Sequence, residues 1–244
     1  MSFPQISHIS EETTHDTYTT EKRPVGSLAM AEDGRVYRFI ENGGTALVSA
    51  RMNQARLEVV ADTSGMPIDT LAVGVTVLTG IGVDNTAIAA DVLKYGYCFT
   101  DTAADLNPVY RIKSNTALIV ATDTAKFTLY SPTVAAIAAA TTITYMRHPC
   151  RDTIIAVATT PTAMVLGATV NAVPADNFGW ICSRGPARVL TQGTLVIGDP
   201  CGPGTDAGSV RDLAAGSAET NPVYGVVLRV EATTECSLVF LQID

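Results

Sequence analysis

Histidine is scarce in this chain, at three among 244 residues. His8 and His15 lie in a polar N-terminal stretch, and His148 sits in Met146-Arg147-His148-Pro149-Cys150. A nucleophilic site needs a base beside the nucleophile and a third group to orient that base. No G-x-S-x-G or comparable motif surrounds any serine or cysteine here. His148 therefore reads as a loop histidine, and no catalytic residue is assigned. Metal motifs are missing as well: there is no H-x-x-x-H, no H-E-x-x-H and no EF-hand loop. Asp199 and Asp206, in the Gly-Pro-rich loop 198–208, come nearest to a calcium site. Gly, Pro and Asp are ordinary turn formers, so the loop reads as a surface turn. No phosphate-binding G-x-x-x-x-G-K-[ST] occurs, and GPGTDAG lacks the lysine and the following helix. No metal ligand and no cofactor-binding residue is assigned, and the chain is not expected to be an enzyme.

Cysteine is sparse and unpaired in pattern. Cys98, Cys150, Cys182, Cys201 and Cys236 form no C-x-x-C and are odd in number. A disulfide framework and a structural zinc site are both disfavoured, leaving buried thiols in a chain made in a reducing cytoplasm. Charge is low too. Charged residues make up 16% of the chain, against roughly 25% in an average soluble protein. Sixteen Lys and Arg against 24 Asp and Glu leave a net charge of -8, which argues against a general nucleic-acid binder. Apolar runs are broken by Thr, Gly or Asp before membrane-spanning length. The first residues carry neither a basic run nor an apolar one, so no secretion leader is expected.

What is present is β-forming. Ala, Thr, Val and Gly dominate, and β-branched side chains suit pleated sheets. Arg35 to Ile40 reads as a strand, Asn42-Gly43-Gly44 as a turn and Thr45 to Val48 as a returning strand. Leu71 to Val83 alternates with period two. Further short strands are expected near Tyr95–Phe99, Val109–Ile112, Ala117–Thr122, Lys126–Tyr130, Ile154–Ala158 and Met164–Val170. In the last third they are expected near Gly179–Ser183, Ala187–Leu190, Thr194–Ile197, Val223–Val230 and Cys236–Ile243. One short helix is expected after Ser131, where Ser caps, Pro132 fits the first turn and an Ala-rich run follows. Phe178 and Trp180 read as core anchors. Arg184 and Arg188 straddle Gly185-Pro186 as a hairpin tip and read as a solvated face, with an intersubunit contact as the alternative.

The expected architecture is all-β: two small barrel-like or sandwich-like modules, the short helix and an extended N-terminal arm. The arm covers residues 1–24, too poor in apolar side chains to repay its own ordering. A β-rich module follows over 25–171, and a barrel-like C-terminal module over 172–244.

Gly34-Arg35-Val36-Tyr37-Arg38-Phe39 with Asn42-Gly43-Gly44-Thr45-Ala46-Leu47-Val48 resembles a pattern of tailed-bacteriophage structural proteins. So do Pro108 to Asn115 and Phe178-Gly179-Trp180-Ile181-Cys182 with Gly185 to Leu190. Gly193-Thr194, Gly198-Asp199 and Val223 to Leu228 are similar to the β-barrel of phage head decoration, or cement, proteins. The resemblance spans about residues 26 to 244 and carries no catalytic signature. It implies a homo-oligomer, often a trimer, on the outer capsid surface of the virion. Its partner would be the major capsid protein, with no nucleic acid and no membrane. It also implies an N-terminal arm reaching neighbouring subunits. The alternatives are a tail, neck or baseplate component, or an enzyme or carbohydrate-binding module using Trp180 or the 198–208 loop.

Overall fold

The structure is a computed structural model describing residues 7–57, 66–68, 70–81, 87–101, 107–117, 124–138, 141–213 and 221–244. It is all-β, with a single 3₁₀ turn at Glu12–His15 as the one helical element among the described residues. The chain forms two compact units, one from residues 1–57 and 149–244, the other from 58–148. One unit is thus inserted into the sequence of the other. The expected boundaries at 24 and 172 are not where the units divide.

In the first unit the strands are β1 (Ser7–His8), β2 (Leu28–Met30), β3 (Val36–Glu41) and β4 (Met52–Gln54). The inserted unit contributes β5 (Met66–Pro67), β6 (Val77–Ile81), β7 (Tyr97–Thr100), β8 (Tyr110–Asn115), β9 (Thr124–Leu129) and β10 (Thr142–Met146). The first unit resumes with β11 (Ile154–Ile155), β12 (Val165–Thr169), β13 (Phe178–Leu190) and β14 (Pro200–Pro203). It ends with β15 (Val210–Asp212), β16 (Gly225–Arg229) and β17 (Cys236–Gln242).

The 13-residue β13 organises the first unit. One edge pairs with β3 over Phe178 to Arg184; the other pairs with β12 at Ile181–Cys182 and then with β17 from Arg184 to Leu190. The path runs β1-β2-β3-β13-β17-β16-β14-β15, with β11, β4 and β12 branching from β13. An isolated bridge, Thr191 to Val210, brings β15 back to the end of β13. The β3 pairing has a register shift between Cys182 and Arg184, where β17 pairing begins on the other edge. Gly185 follows at φ +101°, where a Cβ would lie 2.9 Å from Arg35 Cγ. Only glycine fits that close, left-handed position comfortably.

Two sequence expectations fail here for one reason. Gly185-Pro186 is not a hairpin tip, because β13 runs through it as one strand. Thr45–Val48 is not the return strand of a hairpin; Leu47 instead exchanges backbone hydrogen bonds with Val173 at 2.9 and 3.0 Å. Long-range pairing to β13 and its neighbours overrides the local turn signals. The expected boundary near 172 lies between β12 and β13, which pair with each other.

The core of the first unit is aromatic at one end. Phe39 is fully buried and meets Tyr18, Phe178 and Trp180 at ring-centroid distances of 6.1, 5.9 and 5.1 Å. This cluster explains the fate of the N-terminal stretch. Tyr18 and Phe178 exchange backbone hydrogen bonds, β1 pairs in parallel with β2, and Thr14 is buried. From residue 7 on, the expected arm is therefore docked on its own unit. Residues 1–6 of that expectation lie outside the described residues.

The inserted unit is a six-stranded sheet in the order β5-β10-β7-β8-β9-β6. Its core includes Leu78, Ile112, Phe127, Leu129, Ile143 and Tyr145. No helix follows Ser131 among the described residues. Residues 133–137 are instead hydrogen-bonded to 71–75: Leu71 and Ile137 exchange bonds at 2.9 Å, and Thr133 Oγ1 donates to the Ala72 carbonyl while accepting from Val75 N–H. That pairing outweighs the modest helix propensity of a short Ala run. The strand expected over 117–122 lies almost wholly outside the described residues.

Candidate interaction surface

An antiparallel sheet that covers a core ordinarily turns a polar face to water. The first unit departs from this on β13, β17, β16 and β14. The inward positions are conventional: Val189, Val227, Val239 and Leu241 are all at most 1% exposed. The alternate positions face outward and are mixed: Arg184 and Arg188 are exposed, Pro186, Val226 and Phe240 half-buried and Pro200 exposed. Pro186 lies opposite Phe240, Phe240 opposite Val226, and Val226 opposite Pro200. Four strands thus carry one apolar row. Beside it, Leu238 is 38% and Leu228 is 42% exposed. Val196 and Ile197, at 50% and 65%, sit on the loop that bonds to β16 through Gly198 N–H and the Val227 carbonyl.

A cleft of about 480 Å³ opens beside the row, lined in part by Pro186, Arg188 and Leu238. Arg35, Tyr37 and Cys182 line its other side. Arg35 is held by Asp33 at 2.6 Å and Glu11 at 2.7 Å, so its charge is already committed. Burial, reinforced by neighbouring Cys182, pushes the Tyr37 hydroxyl up to about 12. Burial likewise pushes the Cys182 thiol up to about 12. Both groups are neutral at ordinary pH, and a protonated thiol is a poor nucleophile. The cleft can accept an apolar or hydrogen-bonding side chain; it does not present an activated nucleophile from these two groups.

The sequence candidates are scattered. His15 ends the 3₁₀ turn and reaches the rim of the cleft. His8 is on β1. His148 is buried in the inserted unit with its ring 6.0 Å from that of Tyr97. All five cysteines are free, four buried and Cys236 half-buried. Asp199 and Asp206 bracket a strand, β14, where one long loop was expected. The turn holding Asp206 is organised by Gln192, whose Oε1 accepts from the backbone N–H groups of Thr205 and Asp206 at 2.7 and 2.9 Å. Among the described residues no group of three or more His, Cys, Asp or Glu is placed to hold a metal ion. Trp180 is 2% exposed and lies under the Arg23 guanidinium at 5.7 Å, so it is a core anchor and offers no face for stacking on a sugar. Arg184 and Arg188 are exposed on the outward side of β13, flanking Pro186.

The outward row was missed from sequence because its members are far apart along the chain. The signal available was the near-absence of polar residues in Cys236 to Leu241 and Gly225 to Leu228, too apolar for strands with one wet face. No family model matches this chain, no curated protein matches it, and no solved structure matches it. What the fold defines is a class, an all-β protein of two units. No helix of the described residues is long and apolar enough to cross a membrane.

Proposed function

We propose that this chain is a virion structural protein of a tailed bacteriophage. It binds the outer head surface and stabilises adjacent capsomers, with the major capsid protein as its partner. The observation that carries the assembly part is the apolar row Pro186–Phe240–Val226–Pro200 on a sheet face that would otherwise be wet. Each Å² of such surface removed from water contributes roughly 25 cal/mol, so a face of this kind favours being covered. The head-decoration part is supported by the strand-and-turn resemblance of Gly193 to Leu228. Residues 7–24 are engaged on their own unit through β1 and Tyr18.

The test is labelling of intact particles produced from the genome that encodes the chain, using an antibody against the purified protein. Label distributed over the head supports decoration. Label confined to one vertex or the tail assigns the chain to the neck, tail or baseplate instead. Absence of the protein from purified particles overturns the virion reading.

A further inference from the structure

The outward face of the first unit carries unpaired positive charge on one side and excess negative charge on the other. Arg184 and Arg188 flank Pro186 and stand opposite Gln242 and Leu238 on β17. Among the described residues neither arginine has a carboxylate partner. Arg229, nearby on β16, differs: it is paired with Glu231 at 2.7 Å. Across the cleft the balance reverses. Glu11 and Asp33 share the single guanidinium of Arg35, and Glu32 lines the same small depression. Glu12 follows directly and is exposed. Arg35 lines both that depression and the cleft bordered by Pro186, Arg188 and Leu238, so the acidic corner and the apolar row are neighbours.

Within one copy these opposite charges do not meet. A second copy brings them together, with its acidic corner placed over Arg184 and Arg188. We infer that the outward face of β13, β17 and β16 is the surface through which copies of this chain associate, apolar row buried and acidic corner of one copy against Arg184 and Arg188 of the next. The contact pairs unlike patches, so it closes as a two-fold pair or continues head to tail into a ring. Complementary charge around an apolar centre sets orientation and speeds encounter, while the centre supplies the affinity. The inference builds on the reading of this face as a docking surface, and it stands separately from attachment to a phage head.

The experiment is the mass of the full chain by light scattering over a concentration series. Wild type is expected as a multiple of 25.6 kDa. The charge swaps R184E/R188E and E12K/E32K lie on exposed positions, and each alone weakens association by about tenfold or more. Mixing the two variants restores the oligomer, because each supplies the charge the other has inverted; an unfolded variant would not do so. For wild type, raising NaCl from about 0.05 to 0.5 M lowers the oligomer fraction as the charges are screened. A monomeric wild type, variants that keep the wild-type mass, or an oligomer indifferent to salt overturns the inference. Head labelling with a monomeric wild type overturns only this inference, and a salt-sensitive oligomer absent from particles overturns only the virion reading.

Discussion

The guanidinium of Arg38 and the carboxylate of Asp244, 206 positions apart, form a two-bonded pair at 2.7 and 2.6 Å. A planar fork on a carboxylate is the strongest form of side-chain ion pair. It fastens the chain beyond β17 onto β3, although neither strand pairs with the other. Burial alone would raise the pKa of Asp244, but hydrogen bonds from Arg38 and Ser183 and the Arg38 charge hold it below the ordinary carboxylate value. A depressed folded-state value stabilises above the unfolded value of about 3.9 and is lost as pH falls through the folded one. Asp244→Asn should therefore lower the melting temperature at pH 7. The difference from wild type should shrink as both are titrated below about pH 4. An equal difference at pH 7 and pH 3 would show that the pair does not carry the effect.

Asn53 makes a second prediction. It is fully buried on β4, and its amide donates to the Arg51 carbonyl at 2.8 Å, to the Gly167 carbonyl at 3.3 Å and to Thr169 Oγ1. The bonds to Gly167 and Thr169 join β4 to β12 beside the register shift between Val165 and Gly167. Asn53→Ala leaves buried acceptors without donors and should cost about 1–3 kcal/mol in denaturant unfolding. Asn53→Asp should be worse, since a carboxylate cannot donate to those carbonyls.

At Gly225 an added Cβ would stand 2.0 Å from the Phe240 carbonyl oxygen, a backbone atom that cannot swing aside. Gly225→Ala should destabilise the first unit by at least about 2 kcal/mol. Gly44→Ala, where a Cβ meets nothing within 4 Å, is the control and should be nearly neutral.

Thiol chemistry offers a probe of folding. Burial pushes the thiols of Cys98, Cys150, Cys182 and Cys201 up to about 12. At pH 8 the native protein should leave all four unmodified by iodoacetamide over minutes, and react fully in denaturant. Rapid native labelling at Cys98 or Cys150 would mean that the surrounding core opens readily.

Trp180 is the single tryptophan, so its emission reports one place. Buried against Phe39 and under Arg23, it should emit at short wavelength and resist iodide quenching. Emission should not change with added mono- or oligosaccharides. A saturable shift on sugar addition would return the carbohydrate-binding alternative to consideration.

Strand identity was readable where alternation and burial coincide. Val36 to Glu41, Cys236 to Gln242 and Tyr110 to Asn115 all lie close to where their residues place them. The failures share a cause. Ser131-Pro132 followed by alanines is locally a helix start, yet Thr133 and Ile137 are claimed by a segment some sixty residues earlier. Gly185-Pro186 is locally a turn, yet two partners from distant parts of the chain hold it in a strand. The polar N-terminal stretch looked too thin to order itself, and Tyr18 alone gives it an aromatic anchor on Phe39 and Phe178. The docking face was illegible for the same reason: Pro186, Phe240, Val226 and Pro200 become a row only once the register of four strands is known.

The nesting of one unit inside the other has a consequence for birth on the ribosome. Strand β3 is made early, but its principal partner β13 lies beyond the whole of 58–148. When the inserted unit emerges, all six of its strands are available to one another; the first half of the outer unit is still waiting. Its exposed β3, with Tyr37, Phe39 and Ile40 uncovered, is then a nascent edge seeking a mate. Translation of this chain is thus a race between completion of β13 and capture of β3 by something else, so a pause in the inserted stretch should cost yield before it costs stability.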